Sequence, residues 1–599
     1  MTPSPTTSHL GGPDARPAAG APLPGIQGGN VWLPARLRAL RAAAMAEDNL
    51  FLLLAVIIGL FSGLSVVLFR IAIDWSRITL LGSALSPPAW RTLLVPTLGG
   101  LVVAVLVIKV FPLVRGSGVN QTKAAVYIYD GYIPFSTVIG KFITCALAIG
   151  SGQSLGPEDP SLQIGAGIAS ALGRRLQFSR ERIRLIAPVG AAAGLAAAFN
   201  APISSVLFVI EEVIGRWTAG VLGAIVLAAV SSVTVVRLFL GSEPLFRIPA
   251  YRLVHPTELL VYAALGIAGG LASLLFVKIL SYARPRVRML PPWTRYFQPA
   301  IAGLIIGVIG LRFPQVMGAG YDSMDQAMHN QYTWQILAVL AGFKILATCL
   351  SFTGGAPGGM FAPTLFIGAM LGGALGGVEH HFFPRLTASV GSYALVGMGT
   401  LFAGFLRAPM TSVFMVLEVS GNYSIIVPVM ISNTIAYLIN LKYQPTALFD
   451  LLSRQEGVDL PSMEELREQS PLLVEDAMRA PSGPPLHEDD TLAAAVAKSK
   501  AWSTSHVPVS HWDGTWSLIA KNVLKQEAAT RGADLLRAIL PVSDRVPVVH
   551  SDQPLYMAMR RMGEWPYLPV VHRAAFTRLQ GTISLDDILK RYRALRIAD

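Results

Sequence analysis

Glu158 stands in the run Gly156-Pro157-Glu158-Asp159-Pro160, inside a glycine-rich break between two apolar segments. An ionisable group near membrane depth needs a functional reason. Glu211 and Glu212 follow one another at the end of a second apolar run. Acids separated in this way could pass protons, or act as general acid and base in a membrane-embedded enzyme. No His-rich zinc motif, Ser nucleophile motif or phosphate loop accompanies them, which counts against the enzyme. The glycine-rich breaks supply the complementary chemistry. Pro160 and Pro363 each suit the first turn of a helix. The N–H groups at such a helix start are unpaired, carry partial positive charge and bind anions without a fixed cation. A fixed lysine in the path would hold an anion too tightly for fast passage.

The elements that must position these groups are membrane helices. The chain has 599 residues, of which 52% are hydrophobic and 14% charged. Soluble proteins carry about 25% charged residues. Runs at 49–73, 93–111, 220–240 and 259–279 approach the ~20 residues of a spanning helix, and others follow between Gln335 and Leu441. The net charge is +12, but the basic residues form no single aromatic-laced patch, so no nucleic-acid partner is indicated. Positive-inside flanks explain part of the excess. Arg36, Arg38 and Arg41 precede the first run and predict a cytoplasmic N-terminus. Residues 1–45 read as a disordered tail, with no signal peptide. Cys145 and Cys349 lie in apolar segments and indicate neither a disulfide framework nor a metal cluster.

Three blocks recur in order at a spacing of about 200 residues. Arg312–Gly320 echoes Val110–Gly118. Gly359-Met-Phe-Ala-Pro-Thr-Leu-Phe-Ile-Gly-Ala echoes Gly156-Pro-Glu-Asp-Pro-Ser-Leu-Gln-Ile-Gly-Ala. Ala408–Glu418 echoes Ala201–Glu211. Two related halves are a transporter signature, with the site where they meet. The expected fold is an all-α, multi-spanning membrane domain with an internal, inverted repeat over residues 46–453. Glu211 has a repeat partner in Glu418, so both read as structural. Glu212 aligns with Val419, an asymmetry that suits a specialised role.

These blocks resemble the CLC family of chloride channels and proton/chloride antiporters. The family's Gly-Ser-Gly-Ile-Pro motif is present as Gly116-Ser-Gly-Val-Asn120, its Gly-Lys/Arg-Glu-Gly-Pro motif as Gly156-Pro-Glu-Asp-Pro160, and its Gly-x-Phe-x-Pro motif intact as Gly359–Pro363. The resemblance implies chloride transport by a homodimer, as a proton/chloride antiporter. Ser117 and Gly118, with backbone N–H groups near Met360 and Phe361, would form the chloride site. Glu158 would be the gating glutamate, competing with chloride until protonated, and Glu212 the inner proton-transfer acid. Phe449 falls where antiporters usually place a Tyr hydroxyl beside chloride, which keeps open a passive channel or a loosely coupled exchanger. Pro157 and Asp159 replace a basic residue and a Gly, and an extra carboxylate there is unfavourable unless it is paired or points away. Asn120 replaces a Pro. By the same resemblance, Ser117 would favour chloride over nitrate.

Beyond Arg454 charged residues return and the pattern becomes α/β. Residues 454–473 read as a linker, followed by two β-α-β-β-α units at 474–526 and 538–597. Strand-like His506-Val-Pro-Val recurs as Tyr567-Leu-Pro-Val. Paired units of this kind resemble CBS domains, which bind adenosine nucleotides in some proteins. Gly581-Thr-Ile-Ser584-Leu-Asp-Asp587 carries the hydroxyl and carboxylate for such a contact, at Ser584 and Asp587. The first unit has neither group at Ser517–Val523, so packing between subunits is an equal reading of the tail. No other cofactor is expected. A nucleotide sensor with a mere membrane anchor would not need the repeated helix breaks. The expected location is a bacterial plasma (inner) membrane, with the tail in the cytoplasm.

Overall fold

A computed structural model describes residues 47–82, 87–176, 178, 180–215, 219–242, 246, 255–384, 389–458, 460, 472–540, 545–573 and 575–598. The expected tail at 1–45 and most of the expected linker lie outside the described residues. The chain forms two compact units, 1–466 and 467–599.

Among the described residues, the regular elements of the first unit are all helices. The helices of the first half are α1 (Glu47–Leu80), α2 (Ala89–Val105), α3 (Gly118–Tyr127), α4 (Phe135–Gly150), α5 (Glu158–Arg174), α6 (Arg180–Phe199), α7 (Pro202–Phe208) and α8 (Ala219–Leu240). Those of the second are α9 (Glu258–Arg288), α10 (Gln298–Gly310), α11 (Tyr321–Met328), α12 (Trp334–Thr353), α13 (Phe361–Phe382), α14 (Val390–Leu406), α15 (Pro409–Ser420), α16 (Ile426–Tyr443) and α17 (Leu448–Glu456). Among the described residues, eight helices are long and apolar enough to cross a membrane. Helix α1 illustrates the packing rule. Its Leu60, Phe61, Leu64, Leu68, Ile71 and Trp75 are exposed along one stripe. Its Gly59 and Gly63 instead lie against the α8 backbone at Ala228 and Ser232. Large apolar groups face lipid, and small ones let two backbones approach.

The two halves are related by an inverted two-fold. A Cβ added at Gly100 would strike the Pro299 carbonyl, and one added at Gly303 would strike the Pro96 carbonyl. Pro96 and Pro299, like Gly100 and Gly303, are repeat mates 203 positions apart. Each residue therefore meets the mate of the other, which requires α2 and α10 to run antiparallel. Reciprocity of this kind is the mark of a two-fold axis, and an antiparallel pair of apolar helices, one from each half, fits an axis in the membrane plane. The backbones of Gly156 and Gly359 exchange two hydrogen bonds of 2.8 Å as an antiparallel pair.

The repeated glutamates complete the reciprocity. The Glu418 carboxylate accepts the Ile203 and Ser204 N–H groups at the start of α7, both at 2.8 Å. The Glu211 carboxylate accepts the Thr411 N–H (2.9 Å) and hydroxyl (2.5 Å) at the start of α15. Each half thus caps a helix of the other, filling donors that have no partner within their own helix. Replacing Glu418 by Ala strands two N–H groups and is expected to destabilise the unit by about 1–3 kcal/mol. A lowered thermal midpoint in detergent checks this, and Glu211→Ala should shift it in the same direction.

The described residues of the second unit form two β-α-β-β-α units, the first running on to Arg531, past 526. In the first, β1 (Leu486–His487), β2 (His506–Ser510) and β3 (Trp516–Ala520) flank helices α18 (Leu492–Ser499) and α19 (Lys521–Arg531). In the second, β4 (Arg545–Val546), β5 (Leu568–His572) and β6 (Ala575–Ile583) flank α20 (Leu555–Met562) and α21 (Leu585–Ala598). Strand β1 runs parallel to β2, while β2–β3 and β5–β6 are antiparallel. Strand β4 joins the first sheet by pairing with β3.

Candidate functional site

The Gly156–Gly359 backbone pair brings the starts of α5 and α13 together, one from each half. Glu158 is the first residue of α5 and fully buried. Its carboxylate accepts the Ala362 N–H of α13 at 3.2 Å and the Tyr321 hydroxyl at the start of α11. A Cβ at position 156 would collide with both the Glu158 carboxylate and Ala362, so glycine there is what lets the acid reach the opposite helix. Met360 and Phe361, both buried, open α13. The first-turn N–H groups of a helix have no acceptor within it, so this helix start offers donors to an anion.

Ser117 occupies the N-cap position of α3, and its hydroxyl donates to Asp159 Oδ1 at 3.0 Å. The N–H of Gly118 donates to Asp159 Oδ2 at 2.8 Å and that of Val119 to Oδ1 at 2.9 Å. The extra carboxylate that looked unfavourable is therefore paired, and its partners include the predicted anion-binding residues Ser117 and Gly118. Lys141 Nζ lies just behind, donating to the Gly116 carbonyl at 2.8 Å. Its repeat mate Lys344 donates to the Gly318 carbonyl at 2.7 Å. Both lysines are buried and occupied by carbonyls.

Glu212 lies on a π-helical turn, Val209–Ile214, at the end of α7. Such turns recur at functional sites. Its Oε1 is 3.1 Å from Lys123 Nζ, which also meets Asp450 Oδ1 at 2.9 Å. All three side chains are buried. Phe449 precedes Asp450 on α17 and packs with Phe208 and Phe361, ring centroids 6.4 and 6.5 Å away. Its carbonyl accepts Asn120 Nδ2 at 2.9 Å. The substituted Asn120 thus ties α3 to α17. Phe361 and Phe449, both predicted site residues, meet in this aromatic cluster, and Glu212 joins the α17 side of it through Lys123.

Two basins approach the centre. Helix α1 crosses and α2 returns, so the end of α1 and the segment after α2 lie on opposite faces. At the end of α1, a cavity of ≈ 570 Å³ is lined by Arg70, Asp74, Arg77, Asp322, Pro157 and Tyr321, among others, with Arg77 paired to Asp322 at 3.5 Å. On the other face, Arg115, Arg284 and Arg288 gather beside Gly116. There Arg284 pairs with Glu456 at 2.6 Å. This second mouth is dominated by positive charge, and a mouth of one dominant sign concentrates counter-ions.

The sequence reading did not find Tyr321, Lys123, Asp450 or the arginine basin. A signal existed for two of them. Tyr321 follows the repeated Gly-x-Gly, in register with Val119, and Lys123 is a lone cation in the buried α3. In the second unit, Ser584 and Asp587 bond to each other, the hydroxyl to Oδ2 at 2.6 Å. Arg479 Nε reaches Asp587 Oδ1 at 2.5 Å. The pair works there as a cap on α21.

Comparison with known proteins adds the following. The profile of the family described as voltage gated chloride channel matches residues 99–441, more than half of the chain. That of the CBS domain matches residues 536–594. The putative chloride channel protein ClcB-like of Ralstonia nicotianae is 35% identical over 366 residues, 60% of this chain and 84% of that protein. The H(+)/Cl(-) exchange transporter ClcA of Vibrio campbellii is 30% identical over 404 residues, 65% of this chain and 86% of that one. The solved structure of a slow cyanobacterial Cl-/H+ antiporter aligns with a TM-score of 0.63 at 25% identity, covering 71% of this chain and 100% of that one. The apolar helices and these relatives together make this an integral membrane protein. Its profile match, the reciprocal helix breaks and the relative at 35% identity all agree: the chain belongs to the voltage gated chloride channel family.

Proposed function

We propose that this protein exchanges chloride for protons across the membrane, with Glu158 as the gate and Glu212 as the second proton station. The observation that carries the reading is the Glu158 carboxylate on the Ala362 N–H. An acid of one half sits on the helix start of the other, where a transported anion would be held. Carboxylate and chloride then compete for one set of helix-end dipoles. Protonation weakens the carboxylate as an anion and frees the donors, so proton and chloride movements are linked. Ser117, Gly118, Met360 and Phe361 are the proposed chloride contacts. The arginine cluster beside Gly116 supports an anionic cargo.

Phe449 favours a second reading. It brings no hydroxyl to the inner side, and a missing donor loosens the hold on chloride, as in a passive channel or a loosely coupled exchanger. Chloride efflux from liposomes, followed with a chloride electrode, tests what the two readings share. Flux above that of protein-free vesicles is expected. Its absence at every pH would contradict both.

The domain plan proposed is a transport unit at 46–453, a linker at 454–473 and CBS units at 474–526 and 538–597. The further proposals are a homodimer in a bacterial inner membrane, no enzymatic activity, and a cytoplasmic tail. In the tail, Ser584 and Asp587 are the proposed contacts for an adenine nucleotide, with Arg479 as the cation a phosphate would meet. Titration of the full-length protein with ATP should give saturable heat that Asp587→Ala removes. No heat would leave the pair as a helix cap.

A further inference from the structure

Adjacent residues Glu158 and Asp159 point their carboxylates at two different helices. Glu158 takes the start of α13, in the second half. Asp159 takes the start of α3, in the first half, through the Ser117 hydroxyl and the Gly118 and Val119 N–H groups at 2.8–3.0 Å. Ser117 and Asp159 are each 2% exposed. A carboxylate with three convergent donors, two of them backbone N–H groups of a helix start, is held as a bound anion would be.

We propose that Asp159 is a second tethered anion, seated in the chloride site of Ser117 and displaced from it whenever chloride binds there. The inference rests on the chloride-exchange reading above and deepens it. Tethering gives the carboxylate a high effective concentration at its donors, so chloride must outcompete an intramolecular rival. The charge balance of the site supports this. The Lys141 ammonium lies directly behind the donors, on the carbonyl of Gly116, and one cation there is matched by one anion at a time. With Asp159 seated, chloride in the same place would add a second negative charge. Asp159 must therefore move its side chain off α3 for Ser117 and Gly118 to hold chloride. Chloride affinity is set by this competition as well as by the donors, and the same step slows each transport cycle.

The test is chloride binding by isothermal titration to the full-length protein in detergent, with chloride flux from liposomes read in parallel. Asp159→Asn keeps the size and loses the charge. Asp159→Gly removes the rival altogether. Both are expected to bind chloride at least about tenfold more tightly, the scale set by removing a unit charge a few ångströms away in a protein environment. The KM for flux should fall with the Kd. Asp159→Glu keeps the charge on a longer tether and should stay within about twofold of the parent affinity. A purely structural cap would instead lower the thermal midpoint of the Asn and Gly variants and leave the chloride Kd unchanged, which overturns the proposal. Folded parent and variants that neither bind nor move chloride would overturn the exchange reading together with this one. A parent that moves chloride, with variants of unchanged affinity, would overturn this one alone.

Discussion

Glu158→Gln is expected to pass chloride at a rate that no longer varies with pH and to move no protons. The carboxylate sits on the Ala362 N–H and the Tyr321 hydroxyl, between the starts of α5 and α13. While ionised it holds donors that chloride needs. In the parent, acid neutralises it, so chloride flux should rise as pH falls. Glutamine is neutral at every pH, so its flux should be flat and at least as fast as the parent's in acid. Two unit charges 4 Å apart at an effective dielectric of 20 repel by about 4 kcal/mol. That bounds the effect of the charge on chloride occupancy at roughly a thousandfold. A chloride electrode and a pH-sensitive dye, used on the same vesicles, check both parts. A Gln variant that keeps a steep pH dependence would remove Glu158 from the gate.

The second large effect belongs to the buried triad. Lys123 bridges Glu212 and Asp450 at 3.1 and 2.9 Å with all three side chains buried. Removing one partner of a buried pair leaves uncompensated charge and costs about 3–5 kcal/mol. Lys123→Met leaves two carboxylates facing each other and should lower the thermal midpoint sharply or prevent a monodisperse preparation. Glu212→Gln leaves a single Lys–Asp pair. That variant should fold, pass chloride and lose proton movement, because its station no longer takes up a proton. The double variant Lys123→Met with Glu212→Gln leaves one acid alone and should be more stable than Lys123→Met by itself. If Lys123→Met folds as well as the parent, the triad is not an energetic unit. If Glu212→Gln still carries protons, the second station lies elsewhere.

Much of this architecture could be read from the chain, because the repeat left a literal trace. Pro160 and Pro363, and Gly156 and Gly359, lie 203 positions apart, Glu211 and Glu418 207, and the members of each pair hold equivalent places in the two halves. Glu211 and Glu418 read as structural because they are repeat partners, and Glu212 as distinct because it aligns with Val419 and matches the family's inner acid; the reciprocal caps agree with the first of these readings. The antiparallel sense of the halves could be expected but not proved from the chain, since it depends on which glycine meets which proline across α2 and α10. Asp159 shows the main limit. Its charge was visible, but its direction was not, because a first-turn side chain of α5 reaches either its own helix or the neighbouring α3. Lys123 and Asp450 are 327 positions apart, and no local pattern announces such a pair. Tyr321 lay in a recognised repeat block but faces a partner 163 positions earlier.

The central claim is that chloride and protons move in opposite directions through one cycle. Liposomes loaded with high chloride are diluted into low chloride at equal pH, with the voltage clamped at zero by valinomycin and potassium, and lumenal pH is followed. Coupled exchange predicts that chloride leaving the vesicle draws protons in, so the lumen acidifies with no imposed proton gradient, and that Glu212→Gln abolishes this acidification. Chloride efflux with an unchanged lumenal pH in the parent protein would contradict the account and make the protein a passive chloride path.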